Sequence, residues 1–282
     1  MRRILIAGCG YVGEATADLF HHAGWTVEGW TRSAEAAAKV MGKPYPVIAV
    51  DISQRDQVNA RPENFDAVIH CASTRGGGAE LYRQVYLDGA QNLLDRFIGS
   101  TLLFTSSTSV YAQNDGEWVT EESPAEPVHE EGRILRETEA VVLARGGIVA
   151  RLGSIHGPGR SALLTKFLSG TADLSNDRYV NYAHRDDIAA ALFLLIEQQT
   201  STGQIFNVVA NEPILRSECF GWLAERLSRP LSSAGASSST PKRGASNKRV
   251  SNAKLRGLGW QSRYSSFPEA MEQSILPSFA VE

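Results

Sequence analysis

The stretch RILIAGCGYVGEA, residues 3–15, decides the fold. It opens on a short apolar run that reads as a β-strand. Gly8, Gly10 and Gly13 follow directly, and VGEATADLFHHAG continues as a helix that ends at Gly24. A G-x-G-x-x-G spacing has mechanical meaning only in this strand–turn–helix setting. Gly8 permits the tight turn, Gly10 lets backbone approach a pyrophosphate, and Gly13 lets the helix pack closely on the strand. The first turn of the helix then offers the N–H groups of Tyr11 and Val12 to the anion. The plainer alternative is a tight turn with no ligand.

Working outward, the same alternation repeats. TVEGWT, YPVIAVDI, FDAVIHCAS, TLLFTSS and GGIVARLG read as further strands, separated by helical patterns. Near-continuous apolar strands alternating with helices predict a parallel sheet covered on both faces, an α/β doubly wound arrangement of the Rossmann kind. Ligands bind such sheets at the carboxyl ends of the strands. Residues 1–156 are read as the dinucleotide-binding core, with 180–210 returning to it. Residues 157–282 are read as a smaller C-terminal lobe, mainly for substrate. The segment 232–249, SSAGASSSTPKRGASNKR, lacks apolar periodicity and reads as one long mobile loop. The helix RDDIAAALFLLIEQ carries Asp186 and Asp187 in its first turn, where they suit the helix dipole.

Composition narrows the function classes. With 282 residues and 43% apolar content the chain can bury a sizeable core. A net charge of −3 gives no electrostatic reason to expect nucleic acid or an anionic membrane surface. Cys9, Cys71 and Cys219 are far apart and lack metal-ligand spacing, so they read as small buried thiols in a reducing, cytoplasmic protein. No apolar run reaches membrane-spanning length, and glycines interrupt the N-terminal run too early for a secretory signal.

The end of the second strand selects the cofactor. An acidic residue there would bond the ribose 2′-hydroxyl of NAD, but the sequence runs GWTRS. Glu28 falls too early. Arg32, flanked by Thr31 and Ser33, carries a guanidinium suited to a 2′-phosphate, which favours NADP over NAD.

Taken together, these blocks resemble the extended or atypical branch of the short-chain dehydrogenase/reductase superfamily, the NAD-dependent epimerase/dehydratase family. The resemblance covers most of the chain. It implies that Asp51 and Ile52, in VDI, border the adenine, and that Ala72 and Ser73, ending VIHCAS, border the cofactor ribose. YLDGAQNLL resembles the family's Asn-x-x-Gly helix with Tyr86 in place of the asparagine. FTSSTSVYA places the family's catalytic serine at Ser107. ARLGSIHGPGR, NYAHRDDIAAAL and GQIFNVVANEP match later family segments, of which the first opens the substrate lobe. The implied activity is an NAD(P)-dependent epimerase, dehydratase or oxidoreductase acting on a polar small molecule such as a nucleotide sugar. A homodimer is implied by the same analogy.

One family feature is missing. The superfamily's Tyr-x-x-x-Lys pair shares one helix face because i and i+4 are neighbours there. The lysine lowers the tyrosine's pKa and orients the ribose, and the tyrosine exchanges a proton with substrate. The matching positions in EGRIL are Glu131 and Leu135, and Glu139 matches a later family glutamate. Glu131 is the aligned candidate acid/base, although a carboxylate accepts a proton better than it donates one at neutral pH. Ser107 is the candidate hydrogen-bonding partner of a substrate oxygen. Tyr111, His129, His156 and His184 are lesser candidates, each with a packing role as the plainer reading. Lys242, Arg243, Lys248 and Arg249 are read as a basic group on the loop, either solvated or gathering an anion. A non-catalytic dinucleotide-binding sensor is the alternative that the lost pair suggests.

Overall fold

The computed structural model describes residues 1–62, 64–74, 76–175, 177–231 and 246–279, the side chain of Gln199 excepted. Strands β1 (Arg3–Ala7), β2 (Thr26–Thr31), β3 (Val47–Ala49), β4 (Ala67–His70) and β5 (Thr101–Ser107) come first in the chain. They are followed by β6 (Trp118–Val119), β7 (Ile148–Leu152), β8 (Ser154–His156), β9 (Tyr179–Val180) and β10 (Tyr182–His184). The last strands are β11 (Ile205–Val208), β12 (Ile214–Leu215) and β13 (Arg249–Val250). Helices α1 (Tyr11–His22), α2 (Ala34–Ala38), α3 (Arg55–Asn59), α4 (Ala79–Tyr82) and α5 (Gly89–Arg96) lie between the first five strands. A π-helical turn, Arg83–Asp88, joins α4 to α5. Helix α6 (Glu130–Ala144) precedes β7, and α7 (Ala162–Leu168), α8 (Arg185–Glu197), α9 (Arg216–Arg226), α10 (Ala253–Gly257) and α11 (Phe267–Ala270) follow.

Seven strands form one parallel sheet in the order β11-β7-β5-β4-β1-β2-β3. The chain runs outward from β1 in one direction and then returns to build the other half from β4. The switch point therefore lies between β1 and β4, where a ligand crevice is expected. The sheet is buried on both faces, as its unbroken apolar strands require. On one side α1 and α8 close a core that includes Phe20, Ile188 and Leu192. On the other, α5 and α6 close a core with Leu93, Leu135 and Val142. Strand β11 joins the far edge of the sheet although it comes late in the sequence.

A third apolar cluster, around Phe167, Phe220, Phe267 and Met271, holds the C-terminal lobe. The segment read as one loop from 232 to 249 divides. Residues 232–245 lie outside the described residues, and so do Lys242 and Arg243. The end of that segment is not loop, because Arg249–Val250 pairs in parallel with Trp118–Val119. Alternation has too few residues to show in a two-residue strand, so pattern reading missed it.

Candidate active site

The glycine turn is built as its spacing demands. Gly8 has φ +104°, and a Cβ there would lie 2.2 Å from the Ala72 amide nitrogen. A Cβ on Gly13 would lie 2.2 Å from the Gly8 carbonyl oxygen. Gly8 and Cys9 both donate their N–H to the Trp30 carbonyl, at 2.9 and 2.7 Å, which draws the turn across the end of β2. Gly10 caps α1, and its carbonyl accepts from the Glu14 N–H at 2.6 Å. The N–H groups of Tyr11, Val12 and Gly13 are those a first helical turn leaves without intrahelical acceptors.

The Tyr11 side chain turns away from that cradle. Its hydroxyl donates to the Pro158 carbonyl at 2.9 Å, and the guanidinium carbons of Arg160 and Arg185 each stand 5.2 Å from its ring centroid. Burial pushes its phenol pKa up, and the two arginines partly offset this. Gly157 makes room, since a Cβ there would lie 2.6 Å from the Tyr11 hydroxyl. The glycine turn is thus latched to the loop that enters the C-terminal lobe. Sequence reading gave Tyr11 only a backbone role, and no local pattern signals a partner so distant in the chain.

Arg32 is exposed immediately after β2 and makes no side-chain bond among the described residues. The Thr31 hydroxyl donates to the Ser33 carbonyl at 3.1 Å, and Ser33 caps α2. Glu28 is engaged within the strand, where Oε1 accepts from Trp30 Nε1 at 2.8 Å. Asp51 Oδ1 holds its own turn by accepting from the Ser53 N–H and hydroxyl at 3.0 and 2.7 Å. Ile52 is buried against Gly89, and its carbonyl accepts from Asn92 Nδ2 at 2.9 Å. The Cys71 N–H donates to the Ala7 carbonyl at 2.7 Å, so Ala72 and Ser73 emerge beside the glycine turn.

Tyr86, which replaces the family asparagine, is buried in the π-helical turn. Burial raises its pKa, offset in part by the Thr74 N–H and the hydroxyls of Thr74 and Ser73. Its phenol therefore faces the chain that leaves β4. His70 lies beneath it, with ring centroids 6.2 Å apart and planes 14° from parallel. Burial pulls the His70 pKa down to about 4, and one ring nitrogen, Nε2, sits 3.1 Å from the Val85 carbonyl. A neutral His70 therefore donates from Nε2 to that carbonyl.

At the end of β5, Ser107 is half-buried and its Oγ accepts from the Ser109 N–H at 3.2 Å. Among the described residues the Ser107 hydroxyl donates to no acceptor. The preceding Ser106 donates to Glu139 Oε1 at 2.6 Å. Glu139 is wholly buried and accepts two bonds from Arg151, at 3.0 and 2.7 Å, with Arg136 as a further partner. Tyr111 belongs to this buried frame: its hydroxyl donates to Asn207 Oδ1 at 2.9 Å and Arg151 lies over its ring at 4.8 Å.

Helix α6 packs against the short 3₁₀ turn that Ser107 caps. Glu131, in the first turn of α6, is half-buried and makes no side-chain bond among the described residues. Leu135 is 1% exposed, in the same apolar cluster as Tyr82, Tyr86 and Val110. The position where the family has lysine is therefore core. His129 precedes α6, exposed and without a side-chain cap.

His156 and His184 are both buried in the lobe entrance. His156 stacks on Tyr182 with centroids 4.7 Å apart, and burial, then the neighbouring His184, pull its pKa down to about 3. His184 Nδ1 accepts from the Asp186 N–H at 3.2 Å, so Nε2 carries the proton toward Ser274 Oγ, 2.9 Å away. Packing and hydrogen bonds hold both rings here, and Asp187 accepts from Arg263, Tyr264 and Ser262.

With the fold and this arrangement in view, comparison places the chain. The model of the NAD-dependent epimerase/dehydratase family matches residues 4–209, and the chain belongs to that family. Protein YeeZ of Escherichia coli strain K12 is 29% identical over 221 residues, spanning 74% of this chain and 78% of YeeZ. A solved chain from Methylobacillus flagellatus, provisionally named an NAD-dependent epimerase/dehydratase, is 27% identical with a TM-score of 0.78, covering 96% of this chain and 97% of that one. The UDP-glucose 4-epimerase of Thermus thermophilus, solved with NAD, has a TM-score of 0.82 at 21% identity, covering 99% and 100% of the two chains, and shows the shared fold.

Proposed function

We propose that the protein is an NADP-preferring enzyme that epimerises, dehydrates or reduces a polar small molecule, with nucleotide sugars as the first class to test. The observation that carries this reading is the half-buried Ser107 hydroxyl, donating to no acceptor among the described residues, at a strand end of the sheet whose switch point holds the glycine cradle. The residues fit a dinucleotide: Gly8, Gly10 and Gly13 with the N–H groups of Tyr11 and Val12 for the pyrophosphate, Asp51 and Ile52 for the adenine, and Ala72 and Ser73 for the ribose. Asp51 has Oδ2 to spare beyond its own turn. Bound there, the nicotinamide would give or take a hydride. Ser107 donates to the substrate oxygen. Glu131, unbonded near the N-terminus of α6, accepts the proton.

The UDP-glucose 4-epimerase of Thermus thermophilus and MoeE5, solved with UDP-glucose and NAD, support the substrate class as structural relatives. The unbonded Arg32 supports NADP. The thiols of Cys9, Cys71 and Cys219 are free, and burial pushes each up to about 12. They are poor nucleophiles, which suits a cytoplasmic setting. A homodimer belongs to the same reading and is checked by light scattering.

Titration with NADPH and NADH, followed by nicotinamide fluorescence, tests the cofactor. Tighter NADPH binding is expected, and Arg32→Ala should weaken it about tenfold while leaving NADH unchanged. An unchanged preference removes Arg32 from the site. Turnover on a nucleotide-sugar panel should then fall in Ser107→Ala and Glu131→Gln. Binding without turnover on any substrate would favour the second reading, a sensor, which the apolar Leu135 supports.

A further inference from the structure

Three cations gather in the C-terminal lobe with little negative charge to pair them. Backbone bonds lace their segments together. The Arg216 N–H donates to the Arg178 carbonyl at 3.0 Å, beside the β9–β12 pairing. The Tyr179 N–H donates to Asn247 Oδ1 at 3.0 Å. Asn181 donates from Nδ2 to the Lys248 carbonyl at 3.0 Å and accepts from the Val250 N–H at 2.7 Å. Arg178, Arg216 and Lys248 are thereby held on adjoining strands and strand ends.

Each is withdrawn from water. Lys248 is 4% exposed and Arg216 is 8% exposed. Arg178 is half-buried. Among the described residues, Lys248 Nζ has one partner, the neutral Ser246 hydroxyl. Arg216 Nε and Nη2 are buried without a hydrogen bond, and the nearest ion-pair contact of Nη2 is Asp173 Oδ2 at 3.7 Å. Asp173 spends its other oxygen on Ser175. Asp177 is engaged by Ser217 at 2.9 and 2.6 Å. The Arg178 guanidinium makes no hydrogen bond or ion pair among the described residues. Arg249 is committed elsewhere, donating to the Gly116 carbonyl at 2.7 Å and lying over Trp118 and Tyr179.

The charges also act on one another. Burial, then Arg178, pulls the Lys248 pKa down to about 8 against the pull of Glu117. Burial, then Arg216, pulls Arg178 down against Asp173. Buried donors without acceptors are costly, and like charges brought together add to the cost. A ligand that supplies the missing acceptors would relieve both.

We propose that Arg178, Arg216 and Lys248 form an oxyanion site in the C-terminal lobe that receives a phosphoryl group. Two forked guanidinium groups and an ammonium match a dianion with three terminal oxygens, whereas a carboxylate offers two oxygens and one charge. The group is either part of a phosphorylated substrate, which rests on the proposed function, or free phosphate, which does not.

Calorimetric titration of the full chain at constant ionic strength, with inorganic phosphate and with glucose 1-phosphate, tests the site. At least one should bind, and Arg216→Gln, Arg178→Gln and Lys248→Met should each weaken that binding at least about tenfold without changing NADPH affinity. Tighter binding of the ester assigns the group to a substrate, and tighter binding of inorganic phosphate assigns it to the free ion. Lys248→Met keeps the buried stem, so it carries the test should either arginine variant fail to fold. The proposal is overturned if neither probe binds up to about 10 mM, or if binding is equally tight in the folded variants. Phosphate binding through these residues in a protein that binds neither nicotinamide cofactor would sink the proposed function and leave this site standing.

Discussion

Two glutamates on α6, Glu131 and Glu139, lie about two turns apart and have opposite circumstances. Glu139 is wholly buried and shared by Arg151, Arg136 and Ser106. Glu131 is half-buried with no side-chain partner among the described residues. A carboxylate locked among buried donors is part of the scaffold. One left unbonded in the first turn of the helix can change its partner without breaking the frame. Between them sits Leu135, packed into the core.

The largest expected effect tests the scaffold side. Glu139→Ala strands Arg151, which is 1% exposed and already has Nη1 unpaired. The loss should be about 3–5 kcal/mol, because breaking one side of a buried pair leaves an uncompensated charge. Urea unfolding measures it. A loss below about 1 kcal/mol would mean that water reaches Arg151 and that the two glutamates differ less than their burial implies.

Leu135→Lys asks whether the family's lysine position can still serve that role. A lysine among Tyr82, Tyr86 and Val110 should cost ~3 kcal/mol in thermal or urea unfolding. If the variant is instead as stable as the parent and binds NADPH more tightly, the side chain reaches the ribose. This face of α6 would then be a pocket wall, not core.

Acid provides a third test, on the buried histidines. His70, His156 and His184 have pKa values drawn from 6.5 to about 4, 3 and 4, chiefly by burial. Their neutral forms are favoured by folding, so their contribution is complete above the unfolded value. As pH falls below it the unfolded chain takes up protons first, and stability is lost between 6.5 and about 4 for His70 and His184, and down to about 3 for His156. The slope is at most about 1.4 kcal/mol per pH unit for each histidine. His156→Phe keeps a ring on Tyr182 and should flatten the slope of urea stability against pH. An unaltered slope would show that His156 is reachable by protons in the folded state.

The legible and illegible parts of the molecule divide along contact range. The glycine turn and the sheet could be read because each strand is a local apolar run and the three glycines stand at a fixed local spacing, although the backbone that Gly8 must clear belongs to Ala72. The Glu139–Arg151 pair joins a helix to the next strand through side chains, and no periodicity marks it. Tyr11 meets Pro158 across 147 residues of chain. A segment rich in Ser, Gly and Ala reads as a polar loop, and such composition describes solvation on average and cannot show that one lysine, Lys248, is buried. Glu131 and Ser107 were reached by resemblance alone.

The smallest stability effect is the most informative about function. Glu131→Gln removes a charge that has no side-chain partner among the described residues, so the unfolding free energy should move by less than about 0.5 kcal/mol. Turnover should fall by roughly 10²-fold or more if this carboxylate accepts the substrate's proton. The pairing of those two outcomes separates a reacting group from a framework group, because Glu139→Ala should lose stability and activity together. Equal turnover in Glu131→Gln at unchanged stability would return Glu131 to an ordinary helix surface. Tyr86, whose hydroxyl faces Ser73 and Thr74 where the chain leaves β4, would then be the next phenol to substitute.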